Sequence, residues 1–104
     1  MDIKTYRGTI DGYDTAVTVN GQPLPLRLDL RNLSPDGFNW GYNGPGPSQL
    51  ALAILADHFG DDNQALEYFE PFRSAVISCL AGGDPWILTT IEIVQALDEL
   101  ELGR

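Results

Sequence analysis

From Gly37 to Phe59 the chain reads GFNWGYNGPGPSQLALAILADHF, in which Phe38, Trp40, Tyr42, four glycines and two prolines lead into an uncharged apolar run. Leu50, Leu52, Ile54 and Leu55, with three alanines, put apolar groups on nearly every face of a helix there. A helix with no side to give to water has to lie at the centre of its fold. Ahead of it, glycine supplies backbone angles that other residues avoid, and Pro47 suits a first helical turn. The segment therefore predicts a shaped loop over residues 31–46 that feeds a buried helix from about Pro47 to Phe59, closed by Gly60.

With 104 residues, 43% of them hydrophobic, the chain is expected to form one domain around one core. The formal net charge is −9, unevenly placed: residues 1–46 hold five acids and four bases, residues 47–104 ten acids and two bases. Such a surface repels phosphodiester backbones and anionic lipid, so no direct nucleic acid and no membrane partner is expected. A protein with a basic surface is the favoured partner, and the oligomeric state is left open. The N-terminus MDIKTYRG lacks the apolar core of a signal peptide, and the Leu50–Ala56 run falls far short of a bilayer span. The single cysteine, Cys79, has no intrachain disulfide partner. Together these features predict a cytoplasmic protein.

Residues 3–9 and 15–19 are rich in β-branched and aromatic types, with the turn signal Asp11-Gly12 between them, and Asn20-Gly21 repeats that signal. Leu24, Leu26, Leu28 and Leu30 alternate with Pro25, Arg27 and Asp29, the period of a strand with one wet face. The expectation for residues 1–30 is a three-stranded antiparallel meander with the Pro25 strand at an edge. Residues 47–104 form the acidic helical half. Asp61 and Gln64 have capping-box spacing and start a second helix, which Pro71 should kink or break near Phe69; Cys79 falls in its apolar continuation and is expected buried. Thr89 and Glu92 repeat the capping pattern ahead of a third helix. Strands first and helices after read as an α+β fold, a small meander packed against about three helices. The expected core includes Val17, Leu26, Leu28, Phe38, Leu50, Ile54, Phe69, Val76, Ile77, Trp86, Ile91 and Leu97.

The run G-F-x-W-G-Y-x-G-x-G-P-x-Q-L-A-L-A, Gly37 to Ala53 here, resembles the signature of a bacterial family of domains of unknown function found in genomes, plasmids and phages. The pattern W-x-L-T-x-x-E-I, Trp86 to Ile93, fits the same family. The resemblance implies no activity. Asn43 and Pro45 stand where the family pattern leads one to expect small residues, which stiffens the loop and weighs against a phosphate cradle.

Candidate binding residues are Trp40, Tyr42, Asn43, Gly44, Gly46 and Gln49, on the loop and at the helix start. A helix N-terminus can hold an anion, but the Lys and Ser/Thr of a P-loop and the spacing of a dinucleotide site are missing. Phe38, Trp40 and Tyr42 share strand-like parity and could all point to the core; an exposed one would anchor a partner. Gln49 is better placed to bond the loop backbone than to read a ligand. His58 beside Asp57, Asp61 and Asp62 offers one imidazole and local carboxylates, too few for a specific transition-metal site. One histidine must serve any triad, so no catalytic residue, metal or cofactor is assigned. The reading is a non-enzymatic acidic interaction module, in a sharper form an inhibitor of a nucleic-acid-binding protein. The alternative is a small-molecule binder or enzyme using the Trp40 to Gln49 loop.

Overall fold

Antiparallel pairing on both sides of the first two strands organises the sheet. The computed structural model describes residues 3–102, with β1 at Thr5–Asp11, β2 at Asp14–Val19, β3 at Gln22–Pro23 and β4 at Trp86–Thr89, in the order β3-β2-β1-β4. Tyr6 and Gly8 of β1 face the core with Val17 of β2 and with Trp86 and Leu88 of β4. Arg7 and Thr9 turn to water on the opposite face, as two-residue periodicity requires. The sheet packs against α1 (Pro45–Phe59), α2 (Asp62–Ala75) and α3 (Thr90–Leu102), and the fold is α+β.

α1 is the hub. Every residue from Gly46 to Ala56 is buried, the outcome its uncharged sequence requires. Gly60, left-handed at φ 62°, closes it by donating its N–H to the Ala56 carbonyl at 3.1 Å. The next helix begins at once: the Asp61 carboxylate accepts from the Asn63 and Gln64 N–H groups. At α3 the capping box is reciprocal, with Thr89 N–H donating to Glu92 Oε1 at 3.1 Å and Glu92 N–H to Thr89 Oγ1 at 3.4 Å.

Several expectations need correction. The third strand stops after Pro23, and the run from Leu24 to Leu30 is not a strand. Pro25 cannot donate to a ladder, and Arg27 takes a left-handed φ of 59° that turns the chain, so Leu28 ends exposed. Arg27 is held in that turn by Asp29 and, across the chain, by Asp62 at 3.0 Å. In place of the lost strand, Trp86–Thr89 pairs with β1 on its other side. Ile91 lies at the start of α3 and is exposed, outside the core.

Pro71 does not break α2. Its ring is exposed, and so is Glu67, whose carbonyl would have taken the missing N–H; water can satisfy it. Phe69 and Phe72 are buried on either side of the proline and hold the helix to the core. Cys79 is exposed and sits in a turn of 3-10 helix, Ile77–Cys79, after α2 has ended at Ala75. Among the described residues no helix is long and apolar enough to cross a membrane.

Candidate functional site

Most of the glycine- and aromatic-rich loop is spent on fastening itself to the fold. Trp40 is 1% exposed, stands edge-on to Trp86 and donates its Nε1–H to the Asp84 carbonyl at 2.8 Å. Next to it Gly41 takes a φ of 87° and passes so close to Gly82 that a Cβ would stand 2.5 Å from the Gly82 Cα. Only glycine fits at such an approach. Gly41 also donates its N–H to the Ile77 carbonyl at 3.0 Å. Asn43 is exposed, and its side-chain oxygen accepts from Arg73 Nε at 3.1 Å.

Gln49 is fully buried and uses its whole amide. Its oxygen accepts from the Leu33 and Ser34 N–H groups at 2.8 and 3.0 Å, and its nitrogen donates to the Leu26 and Arg31 carbonyls at 2.6 and 3.1 Å. It therefore stitches the irregular chain before the loop onto α1. That leaves its amide no hydrogen atom to offer a ligand.

The left-handed turn at Gly41 breaks the two-residue parity, so Phe38 and Trp40 are buried while Tyr42 is 47% exposed. The Tyr42 ring lies over Gly44, where a Cβ would stand 2.7 Å from the ring, and its hydroxyl approaches Gly46. Gly44, extended at φ 178°, and Gly46 both lie outside the left-handed region; each is small because a neighbour occupies the side-chain space.

Tyr42 and Gly46 form one wall of an open groove of about 500 Å³, facing the β1–β2 turn and the 34–39 segment. Tyr13 at the tip of the hairpin is completely exposed, and Asp14 and Asp36 bring carboxylates to the same groove. Among the described residues no lysine, arginine or histidine lines it. Two hydroxyls stiffen its wall: Thr15 donates to the Phe38 carbonyl, and Ser34 to the Gly37 carbonyl at 2.7 Å. At the base, α1 begins Pro45-Gly46-Pro47, so Gly46 is the only one of its first three residues with an N–H. A helix start with one donor, between two aspartates, is poorly suited to an anion.

Of the six residues read from sequence, Tyr42 and Gly46 line this groove, Gly44 supports the Tyr42 ring, Asn43 bonds Arg73, and Trp40 and Gln49 lie inside. Sequence reading missed Tyr13, Asp14 and Asp36. The available signal was a large aromatic beside the Asp11-Gly12 turn, where no strand partner accounts for it.

At the other end of α1, the carboxylate of Asp57 accepts from the buried Tyr6 hydroxyl at 2.5 Å and from Lys4 Nζ at 3.1 Å. Burial, then the hydrogen bond to Asp57, pushes the Tyr6 phenol far above its ordinary pKa, so it remains a proton donor. Neighbouring His58 is pushed below the usual imidazole value, chiefly by burial and then by the Lys4 charge. Asp61 caps α2 and Asp62 pairs with Arg27, so the three carboxylates nearest His58 in sequence are each engaged elsewhere. Among the described residues no three His, Cys, Asp or Glu side chains are grouped as a metal site requires.

The chain belongs to a family of unknown function, DUF6166, whose model matches residues 6–99, from β1 to the body of α3. No curated protein and no solved structure matches it. Membership brings no activity with it.

Proposed function

We propose that the chain is a non-enzymatic acidic interaction module of a prokaryotic cytoplasm or mobile element, which binds a basic segment of a partner protein. The observation that carries this reading is the groove itself, in which two exposed tyrosines stand beside two carboxylates and, among the described residues, no cation. Tyrosines of this kind dominate interface energetics, and a base-free acidic surface steers a positive partner toward it. In its sharper form the partner is a nucleic-acid-binding protein, whose basic surface the acidic chain occupies in place of the nucleic acid. A second reading, a small cationic ligand, is favoured by the groove's volume of about 500 Å³, which falls within the range of small-molecule sites.

Calorimetric titration of the full chain with basic, neutral and acidic peptides of matched length, at low and high salt, tests the proposal. Basic peptides should bind, more weakly as salt rises, and Tyr13→Ala with Asp36→Asn should weaken that binding several-fold. Equal affinity for acidic and basic peptides, or binding indifferent to both substitutions, overturns it.

A further inference from the structure

We infer that the groove between Tyr13 and Tyr42 takes a guanidinium, so that the residue it engages is an arginine in preference to a lysine. This rests on the reading of the chain as a binder of a basic partner. Three features of the lining carry it.

The first is the direction of its hydrogen bonds. Thr15 and Ser34 have each spent their single hydroxyl proton on a backbone carbonyl, of Phe38 and Gly37 respectively. Their oxygens can now only accept from a ligand. With the Asp14 and Asp36 carboxylates, four acceptor side chains come from β2 and the 34–37 segment, against the one side-chain amide of Asn39, whose oxygen already accepts from the Trp40 N–H. A guanidinium carries five N–H donors in a planar fork and no acceptor, and can meet acceptors on two sides at once. An ammonium has three donors around one point.

The second feature is aromatic. The Tyr42 ring lies against Gly44, which has no side chain to displace it, and is 47% exposed. Tyr13 stands free on the hairpin tip. Guanidinium groups stack on such rings, and ammonium groups do so less well. The third is hydration. Whatever water the groove strips from an entering cation costs the weakly hydrated guanidinium less than an ammonium.

The test is an amide-resolved NMR titration of the full chain with three blocked amino acids: N-acetylarginine amide, N-acetyllysine amide and N-acetylcitrulline amide. The arginine compound should shift amides around Tyr13, Asp36 and Tyr42 saturably, with the lysine compound at least about threefold weaker and citrulline silent. Asp36→Asn and Tyr13→Ala, both at exposed positions, should each weaken arginine binding with the rest of the spectrum unchanged. Equal binding of arginine and lysine at the groove overturns the guanidinium preference and leaves the basic-partner reading standing. Arginine shifts confined to α3, away from the groove, overturn both readings. Citrulline binding as well as arginine, or no shift from any of the three, overturns both.

Discussion

Replacing Gly41 by Ala tests whether the loop's shape is dictated by backbone contact. A Cβ at this position would meet Gly82 Cα at 2.5 Å, Gly82 N at 2.6 Å and the Leu80 carbonyl oxygen at 3.0 Å, all of them backbone atoms that cannot swing aside. Relieving that overlap takes a separation of about 1 Å, which pulls Gly41 N–H from Ile77 and Trp40 Nε1–H from Asp84, bonds of 3.0 and 2.8 Å. Losing two such bonds costs roughly 1–3 kcal/mol. Holding alanine at the positive φ of Gly41 adds about 1–2 kcal/mol.

The control is Gly83→Ala, where φ is 79° and nothing lies within 4 Å of the added Cβ, so only the backbone term applies. Gly41→Ala should therefore lose roughly 2–5 kcal/mol and Gly83→Ala about 1–2 kcal/mol. Urea denaturation followed by fluorescence of the buried Trp40 and Trp86 measures both. A difference between the two variants below about 0.5 kcal/mol would refute the claim that Gly41 is required by its contact with Gly82.

Gln49→Leu keeps the volume but strands two half-buried carbonyls and two N–H groups, and should cost about 2–4 kcal/mol while speeding proteolytic cleavage within residues 24–34; unchanged cleavage and stability would show that the stitching is dispensable. Ile54→Ala at the centre of α1 should cost about 2–5 kcal/mol in the same denaturation assay, and a loss under about 1 kcal/mol would take α1 out of the hub position. The native pKa of His58 lies below its unfolded value near 6.5, so its contribution is complete above pH 6.5 and is lost as pH falls toward the native value, because the unfolded chain takes up the proton first. His58→Gln should flatten the stability profile below pH 6.5; an unaltered slope would assign the effect to other groups. Tyr6, whose native pKa is raised above 10, should give stability that declines as pH climbs past 10, and Tyr6→Phe should abolish that decline in alkaline melts.

What the sequence determined by itself is what a few neighbouring residues decide. Asp61 caps α2 and Thr89 with Glu92 caps α3, because each cap is a contest between one side chain and the N–H groups two or three residues on. The β1–β2 hairpin follows from Asp11-Gly12, and the burial of α1 from a composition that has no wet face. Tertiary structure decided what depends on residues far apart. β4 is four residues long and finds β1 some eighty positions away, so its pairing is stabilised by Trp86 and Leu88 entering a shared core, which no local window contains. The Leu24–Leu30 run has the strand period and still fails as a strand, since Gln49 claims the Leu26 carbonyl and Asp62 helps hold the Arg27 turn. The candidate groove is the extreme case: Tyr13 and Asp14 from the hairpin, Asp36 from the 34–39 segment and Tyr42 from the loop face one another only because Gly41 presses on Gly82 and turns Tyr42 outward.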